Sequence, residues 1–257
     1  IDKERGVIVE EWRLGLGADD RMMQKYIPVI LKDSRYATRL PIGKVDIIKS
    51  FPYDTLRNFY KTWYRPDLMA VVVVGDIDPA VAEKKIKEYF GRIPAAVNPK
   101  PRIEYTVPDN TTPLISVVKD KEASDFSASV FFKHPKAESI TYNDYREMLI
   151  RTLYTGMLNN RLQEIAQKPE SPYMGAGAGY GGFIGRSTDV YSLSVSAKEN
   201  QIGKSIETVM LENEKARRFG FTLTELEREK RDMMTYYERA AKESDKTESE
   251  SYADEFV

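Results

Sequence analysis

The chain has 257 residues, 41% of them hydrophobic and 31% charged, which fits a globular protein with one large domain or two of ordinary size. Its 39 basic and 40 acidic residues leave a formal net charge of −1 and are mixed along the chain, so no global field draws it to nucleic acid or anionic lipid. It has no cysteine, which excludes disulfides, thiolate zinc sites and a cysteine nucleophile, and no apolar run long enough for a membrane-spanning helix. The absence of cysteine suits cytoplasm and bacterial periplasm alike. Ile1 falls inside a charged helical pattern without an initiator methionine, and Tyr252 to Val257 carry no helix stop, so a piece of a longer protein is expected.

Residues 2–14 read as a helix, and Ala18 to Leu31 as a second one disturbed by Pro28. Arg35 to Gly43 is loop-like. In Tyr53 to Tyr64, Leu56, Phe59, Tyr60 and Trp63 recur at i, i+3, i+4 and i+7, the stripe of a helix with one buried face. Leu68 to Val74, with four consecutive valines, predicts a strand buried on both faces. Asp78 and Pro79 are suited to cap and open a helix that Gly91 ends. Pro94, Pro99 and Pro101 mark a linker, which divides the chain into modules at 1–97 and 98–257.

In the second module Leu114 to Lys119 and Phe126 to His134 predict strands, and Thr141 caps a long helix reaching about Gln167. Pro172 to Phe183 is glycine-rich and extended. Val190 to Ala197 alternates Tyr191, Leu193 and Val195 with serines, as a half-buried strand does. Helices follow over Gln201 to Arg218 and Leu223 to Lys242, the latter opened by a capping box of Thr222 and Glu225. Glu238 to Glu250 reads as a solvated helix face or fraying segment. Strand, turn and helix occur at Leu68–Phe90 and again at Val190–Arg218, a weak internal repeat. The class is α+β: two related modules of mostly antiparallel sheet flanked by helices, the first truncated at its N-terminal side.

Glu4 and Glu11 are the candidate site residues. Seven residues is nearly two helical turns, so both carboxylates lie on one face, about 10 Å apart along the axis. Taken alone, a glutamate on a helix is most often a solvated surface residue. Val7 and Ile8 lie between them on the same face, however, and a carboxylate buried among apolar groups needs a cation or metal. Glu10 points about 100° away, toward solvent. The only histidine, His134, ends a strand and receives no role. The glycines from Gly175 to Gly185 lack the following helix and Lys-Ser or Lys-Thr of a phosphate loop. They read as close packing inside the second module, or as small residues that let a substrate backbone approach. Tyrosines beside basic residues, such as Tyr60-Lys61, fit core packing better than single-stranded nucleic acid.

Glu4-Arg5-Gly6-Val7-Ile8-Val9-Glu10-Glu11 resembles the downstream half of the zinc site in the insulinase/pitrilysin family of inverted zinc metallopeptidases. There an H-x-x-E-H helix supplies two histidine ligands and the general base, and a later E-R-x-V-x-x-x-E helix supplies the third ligand. The likeness continues in family order. It takes in Arg39-Leu40-Pro41-Ile42-Gly43, then Leu56 to Met69 (similar to L-x-x-F-Y-x-x-x-Y-R-P-x-N-M), and Ala70 to Asp76 (VVVGD). It ends at Gly156-Met157-Leu158-Asn159-Asn160-Arg161-Leu162 (G-G-M-S-S-R-L). Leu158, Asn159 and Asn160 depart from small residues there, Tyr154-Thr155 stand where glycines are frequent, and no H-x-x-E-H occurs in the chain.

The resemblance implies Glu11 as a zinc ligand and Glu4 as its supporting acid. It implies zinc as the cofactor of the full-length protein, not held by this chain alone, and peptides or small unfolded proteins as substrates. It implies as partner the rest of the same peptidase or a homologous subunit, and no nucleic acid. A non-catalytic structural or substrate-holding paralogue and a free-standing peptide-binding module are the alternatives.

Overall fold

A computed structural model describes residues 1–256. Its helices are α1 (Asp2–Leu14), α2 (Ala18–Ile30), α3 (Val45–Ser50), α4 (Tyr53–Trp63), α5 (Pro79–Phe90), α6 (Tyr142–Ala166), α7 (Ile202–Phe219), α8 (Leu223–Lys242) and α9 (Ser249–Glu255). Its strands are β1 (Phe126–Pro135), β2 (Tyr173–Gly182) and β3 (Thr188–Ala197), in one antiparallel sheet of order β1-β3-β2. The α+β class is as expected. Two compact units form, each from separated stretches: residues 1–9, 44–103 and 236–257 in one, residues 10–43 and 104–235 in the other.

The sheet belongs to the second unit. Leu193 and Val195 of β3 face Ala178 and Ala176 of β2 on one side and Val130 and Ala128 of β1 on the other. With Leu158, Leu162, Tyr173 and Val209 these residues form the main core. The opposite face carries Ser192, Ser194 and Ser196, so the alternation in the sequence is the alternation of the pleat. Ser129 and Ser194 share a hydrogen bond of 2.9 Å across that face. Tyr173 is fully buried; its hydroxyl donates to the Leu162 carbonyl at 2.9 Å, and burial pushes its pKa up to about 12.

The turn of α6 from Gly156 to Leu162 holds three neighbours. Asn159 donates to the Ala178 carbonyl at 3.0 Å and accepts from the Ala178 N–H at 2.6 Å, closing one rung on the outer edge of β2. Asn160 donates to Glu229 of α8 at 2.8 Å. Arg161 forks onto Glu225, Nε to Oε1 at 2.5 Å and Nη2 to Oε2 at 2.8 Å. Glu225 also accepts from the Thr222 N–H at 2.7 Å, the predicted capping box of α8. A second cluster seats α2 on the β2–β3 hairpin: Ile27, Leu31 and Val107 bury together, with Tyr36, Phe183 and Ile184 against them. Arg21 fastens it from outside through two 2.7 Å hydrogen bonds to Asp120, whose carboxyl they hold well below the ordinary range.

Caps and breakers behave as the sequence predicts. Asp78 Oδ1 accepts from Ala80 N at 2.7 Å, and α5 stops at Gly91. Thr141 and Asp144 form a reciprocal capping box at α6. Pro28 lies inside α2, two residues before its end, where the missing N–H costs one hydrogen bond without breaking the helix.

Four expectations are corrected. Leu68–Val74 and Leu114–Lys119 are in no strand among the described residues: Leu68 closes a 3-10 turn (Pro66–Leu68), the remaining residues join no ladder, and a strand exists only through its partner. The internal repeat is therefore one-sided, strand and helix at β3–α7 but a helix without a strand at 68–90 among the described residues. The α4 stripe is exposed at Leu56, Phe59 and Tyr60, although the helix forms as predicted. The glycines of β2 are not a packing requirement: a methyl at Gly175, Gly181 or Gly182 would meet nothing within 4 Å. Helix α3 escapes sequence reading because six residues give too little periodicity.

Two glycine substitutions are expected to act oppositely. Gly177→Ala meets only ordinary contact, so loss of unfolded-state freedom should stabilise by about 0.4–1 kcal/mol. Gly185 has φ +82° and would place a methyl 2.7 Å from the Tyr36 hydroxyl, so Gly185→Ala should destabilise by about 1–3 kcal/mol. Urea unfolding of the two variants checks both signs.

Arg161 holds the Glu225 carboxyl down at about 2, from an ordinary 4.5, with the Thr222 cap adding to the effect. A depressed carboxyl contributes stability in full above the unfolded pKa and loses it as pH falls through the folded one. Glu225→Gln should therefore cost about 1–3 kcal/mol at pH 7. The gap to wild type should close as pH falls from 4.5 to about 2, in urea midpoints measured against pH. A gap constant over that window would refute the assignment.

Candidate functional site

Helix α1 carries both candidate carboxylates. Asp2 and Glu4 lie in its first turn and Arg13 in its last, each suited to the helix dipole. The helix buries no residue; Val7 is 54% exposed and Ile8 37%. Glu4 and Glu11 are both exposed and make no hydrogen bond or ion pair, so nothing within the described residues competes for either carboxylate. Helical geometry sets them about 10 Å apart along one face. Glu10 turns elsewhere, paired to Arg13 at 2.7 Å in solvent.

Arg5 is the residue that sequence reading left without a task. It donates through Nη1 to the Ile48 carbonyl and through Nη2 to the Phe51 carbonyl at 2.6 Å, so one guanidinium satisfies two carbonyls at the end of α3. Its plane also lies 4.0 Å from the centre of the Phe51 ring. Asp2 accepts from Arg5 Nε at 3.1 Å and from the Tyr53 hydroxyl. The Tyr53 hydroxyl and Arg5 together hold the Asp2 carboxyl below the ordinary range, and Asp2 in turn raises the Tyr53 phenol. The turn that bears Glu4 is thus fixed to α3 and to the start of α4 within the first unit. The signal in the sequence was the arginine beside Glu4 in the E-R-x-V pattern.

A zinc ion needs three or four converging donors. Among the described residues no three His, Cys, Asp or Glu side chains converge in that way. Glu11 has the chemistry and freedom of one hard-oxygen ligand, and Glu4 can accept a hydrogen bond from a ligand held nearby. His134 packs its ring against Tyr180, centroids 5.8 Å apart. No helix among the described residues is long and apolar enough to cross a membrane.

Comparison with known proteins places the chain. Residues 50–233 match the family described as the peptidase M16 inactive domain; Glu4 and Glu11 precede that stretch. The probable zinc protease PqqL of Haemophilus influenzae is 30% identical over 227 residues, which are 88% of this chain and 24% of that protein. The zinc protease PQQL-like of Arabidopsis thaliana is 33% identical over 174 residues, 67% of this chain and 18% of that protein. Among solved structures, the periplasmic protease PqqL from Escherichia coli superposes with a TM-score of 0.84 at 26% identity, over 98% of this chain and 28% of that one. The chain thus spans a quarter or less of the length of these two curated relatives. The match over residues 50–233 takes in well over half of the sequence, and on it the chain belongs to the peptidase M16 family, the insulinase/pitrilysin group that its motifs resemble.

Proposed function

We propose that this chain is part of a zinc-dependent endopeptidase that hydrolyses peptides or small unfolded proteins. In this reading Glu11 is the third zinc ligand and Glu4 the acid that orients the other ligands. Residues 1–97 belong to the end of the first, catalytic module, and residues 98–257 form a second module that walls the substrate chamber. The observation that carries the reading is the E-R-x-V-x-x-x-E pattern on α1, with Glu4 and Glu11 on one face, both unpaired, and Arg5 anchoring the turn that bears Glu4. Its relatives are named zinc proteases, which supports the same cofactor here.

When bound, zinc supplies a Lewis acid that polarises the peptide carbonyl and acidifies a water. The tasks of this chain are narrower. Glu11 contributes one anionic oxygen, which leaves room for two neutral nitrogen ligands and an open position. Glu4, two turns earlier, supplies an acceptor for the outer N–H of a histidine ligand, which fixes the ring and raises its basicity. Arg5 keeps that acceptor in place by tying its turn to α3. The remaining two ligands and the general base are not in these residues, so the chain alone should bind zinc more weakly than micromolar and cleave no peptide.

The test is zinc content in the full-length parent protein. Glu11→Gln should lower bound zinc at least tenfold after dialysis, and Glu4→Gln should weaken affinity by about 10–100-fold, the usual range for a supporting residue. Glu10→Gln, whose carboxylate faces Arg13, should change nothing. Zinc content unaltered in Glu11→Gln would overturn the ligand assignment and favour a non-catalytic, substrate-holding member of the family.

A further inference from the structure

A pocket of ≈ 210 Å³ opens between the first turns of α6 and the ends of β2 and β3, wholly within the second unit. That is smaller than the roughly 300–1,000 Å³ of sites that enclose drug-sized molecules, and it suits one long side chain. Glu138, Asp144, Arg151, Thr155, Tyr180 and Asp189 line it. Asp189 is only 7% exposed. Its Oδ2 accepts one hydrogen bond, from the Ala137 N–H at 2.9 Å, and no cation among the described residues pairs with it. Its Oδ1 makes no hydrogen bond among the described residues and is left to accept from a ligand in the pocket.

The other groups set the sign of the preferred ligand. Asp144 spends Oδ2 on the α6 cap, where it accepts from the Thr141 and Ile140 N–H groups and from the Thr141 hydroxyl, and keeps Oδ1. The Thr155 hydroxyl donates to the Arg151 carbonyl at 3.0 Å and so offers only lone pairs outward. Arg151 stands 4.6 Å over the centre of the Tyr180 ring and pairs with no carboxylate among the described residues. Three carboxylates against one guanidinium leave the pocket net negative and rich in acceptors, with an aromatic ring to flank an aliphatic stem. We propose that it receives the lysine or arginine side chain of a bound peptide, with Asp189 as the buried counter-charge. Only the choice of a peptide as ligand rests on the peptidase reading.

Asp189 as a mere tether for Ala137 would need one oxygen and no charge, which makes Asp189→Asn the discriminating variant. The probes are acetylated, amidated, fluorescein-labelled alanine hexapeptides bearing one central arginine, lysine, norleucine or glutamate, titrated against the chain by anisotropy at low salt. The arginine and lysine peptides should bind at least tenfold more tightly than the norleucine peptide, and the glutamate peptide most weakly. Asp189→Asn should lower arginine-peptide affinity at least tenfold and leave norleucine-peptide binding unchanged. Arg151→Met, which removes the like charge, should tighten arginine-peptide binding several-fold, a gain that a damaged fold cannot mimic. Equal binding of the arginine and norleucine peptides, a preference for glutamate, or wild-type affinity in Asp189→Asn would each overturn the proposal. The readout is binding without hydrolysis, so its failure leaves the zinc assignment intact, and failure of the Glu11 test leaves this one intact.

Discussion

One turn of α6, from Gly156 to Leu162, organises the second unit. Its apolar side, Leu158 and Leu162, is fully buried in the core against β2 and β3. Its polar side is spent on backbone and side chains that no apolar residue could satisfy: the open edge of β2 through Asn159, and α8 through Asn160 and Arg161. Gly156 lets α8 come close, since a methyl there would lie 2.0 Å from the Glu229 carboxylate. The departures from the family's small residues at Asn159 and Asn160 thus have a physical content: each carboxamide fastens a different neighbour. Closing one rung of an exposed strand edge also protects β2, whose glycines would otherwise leave a flat and adhesive edge.

Arginine is the fastener throughout. Arg5 joins two carbonyls, Arg21 two carboxylates and Arg161 a carboxylate and the Gly220 carbonyl, each bond placed by the planar fork of the guanidinium. A lysine at any of these positions would keep the charge and lose the second direction. Each of these three arginines also sits beside an acid of its own unit, Arg5 by Asp2, Arg21 by Asp120 and Arg161 by Glu225. Arg151 gives the pocket its character in another way, since it rests on a tyrosine ring while the buried Asp189 pairs with no cation among the described residues.

What the sequence made legible was local. Asp78, Thr141 and Thr222 mark helix starts because capping is a bond between neighbours in the chain. The serine alternation of β3 and the length of α6 could be read for the same reason. What stayed hidden was relational. Arg5 reaches residues more than forty positions away, and Asp189 becomes unusual only when Ala137, α6 and the sheet end surround it. Glu4 and Glu11 fall between these cases. Their spacing on one helix face is local and was visible, whereas what they hold is decided by atoms that their own helix does not contain.

The valines at 71–74 and the stripe of α4 show the same division from the other side. Both patterns are strong; α4 is the helix that its stripe predicts, while the valines join no strand among the described residues. Yet Val71 and Val73 remain exposed, as do Leu56, Phe59 and Tyr60, because each pattern encodes half of a contact. A strand ladder needs a second row of N–H and C=O groups, and an apolar stripe needs a surface to cover it. Sequence pattern therefore carries two separable pieces of information, the conformation of a segment and its demand for a partner. In α4 the conformation is realised while the demand stays open.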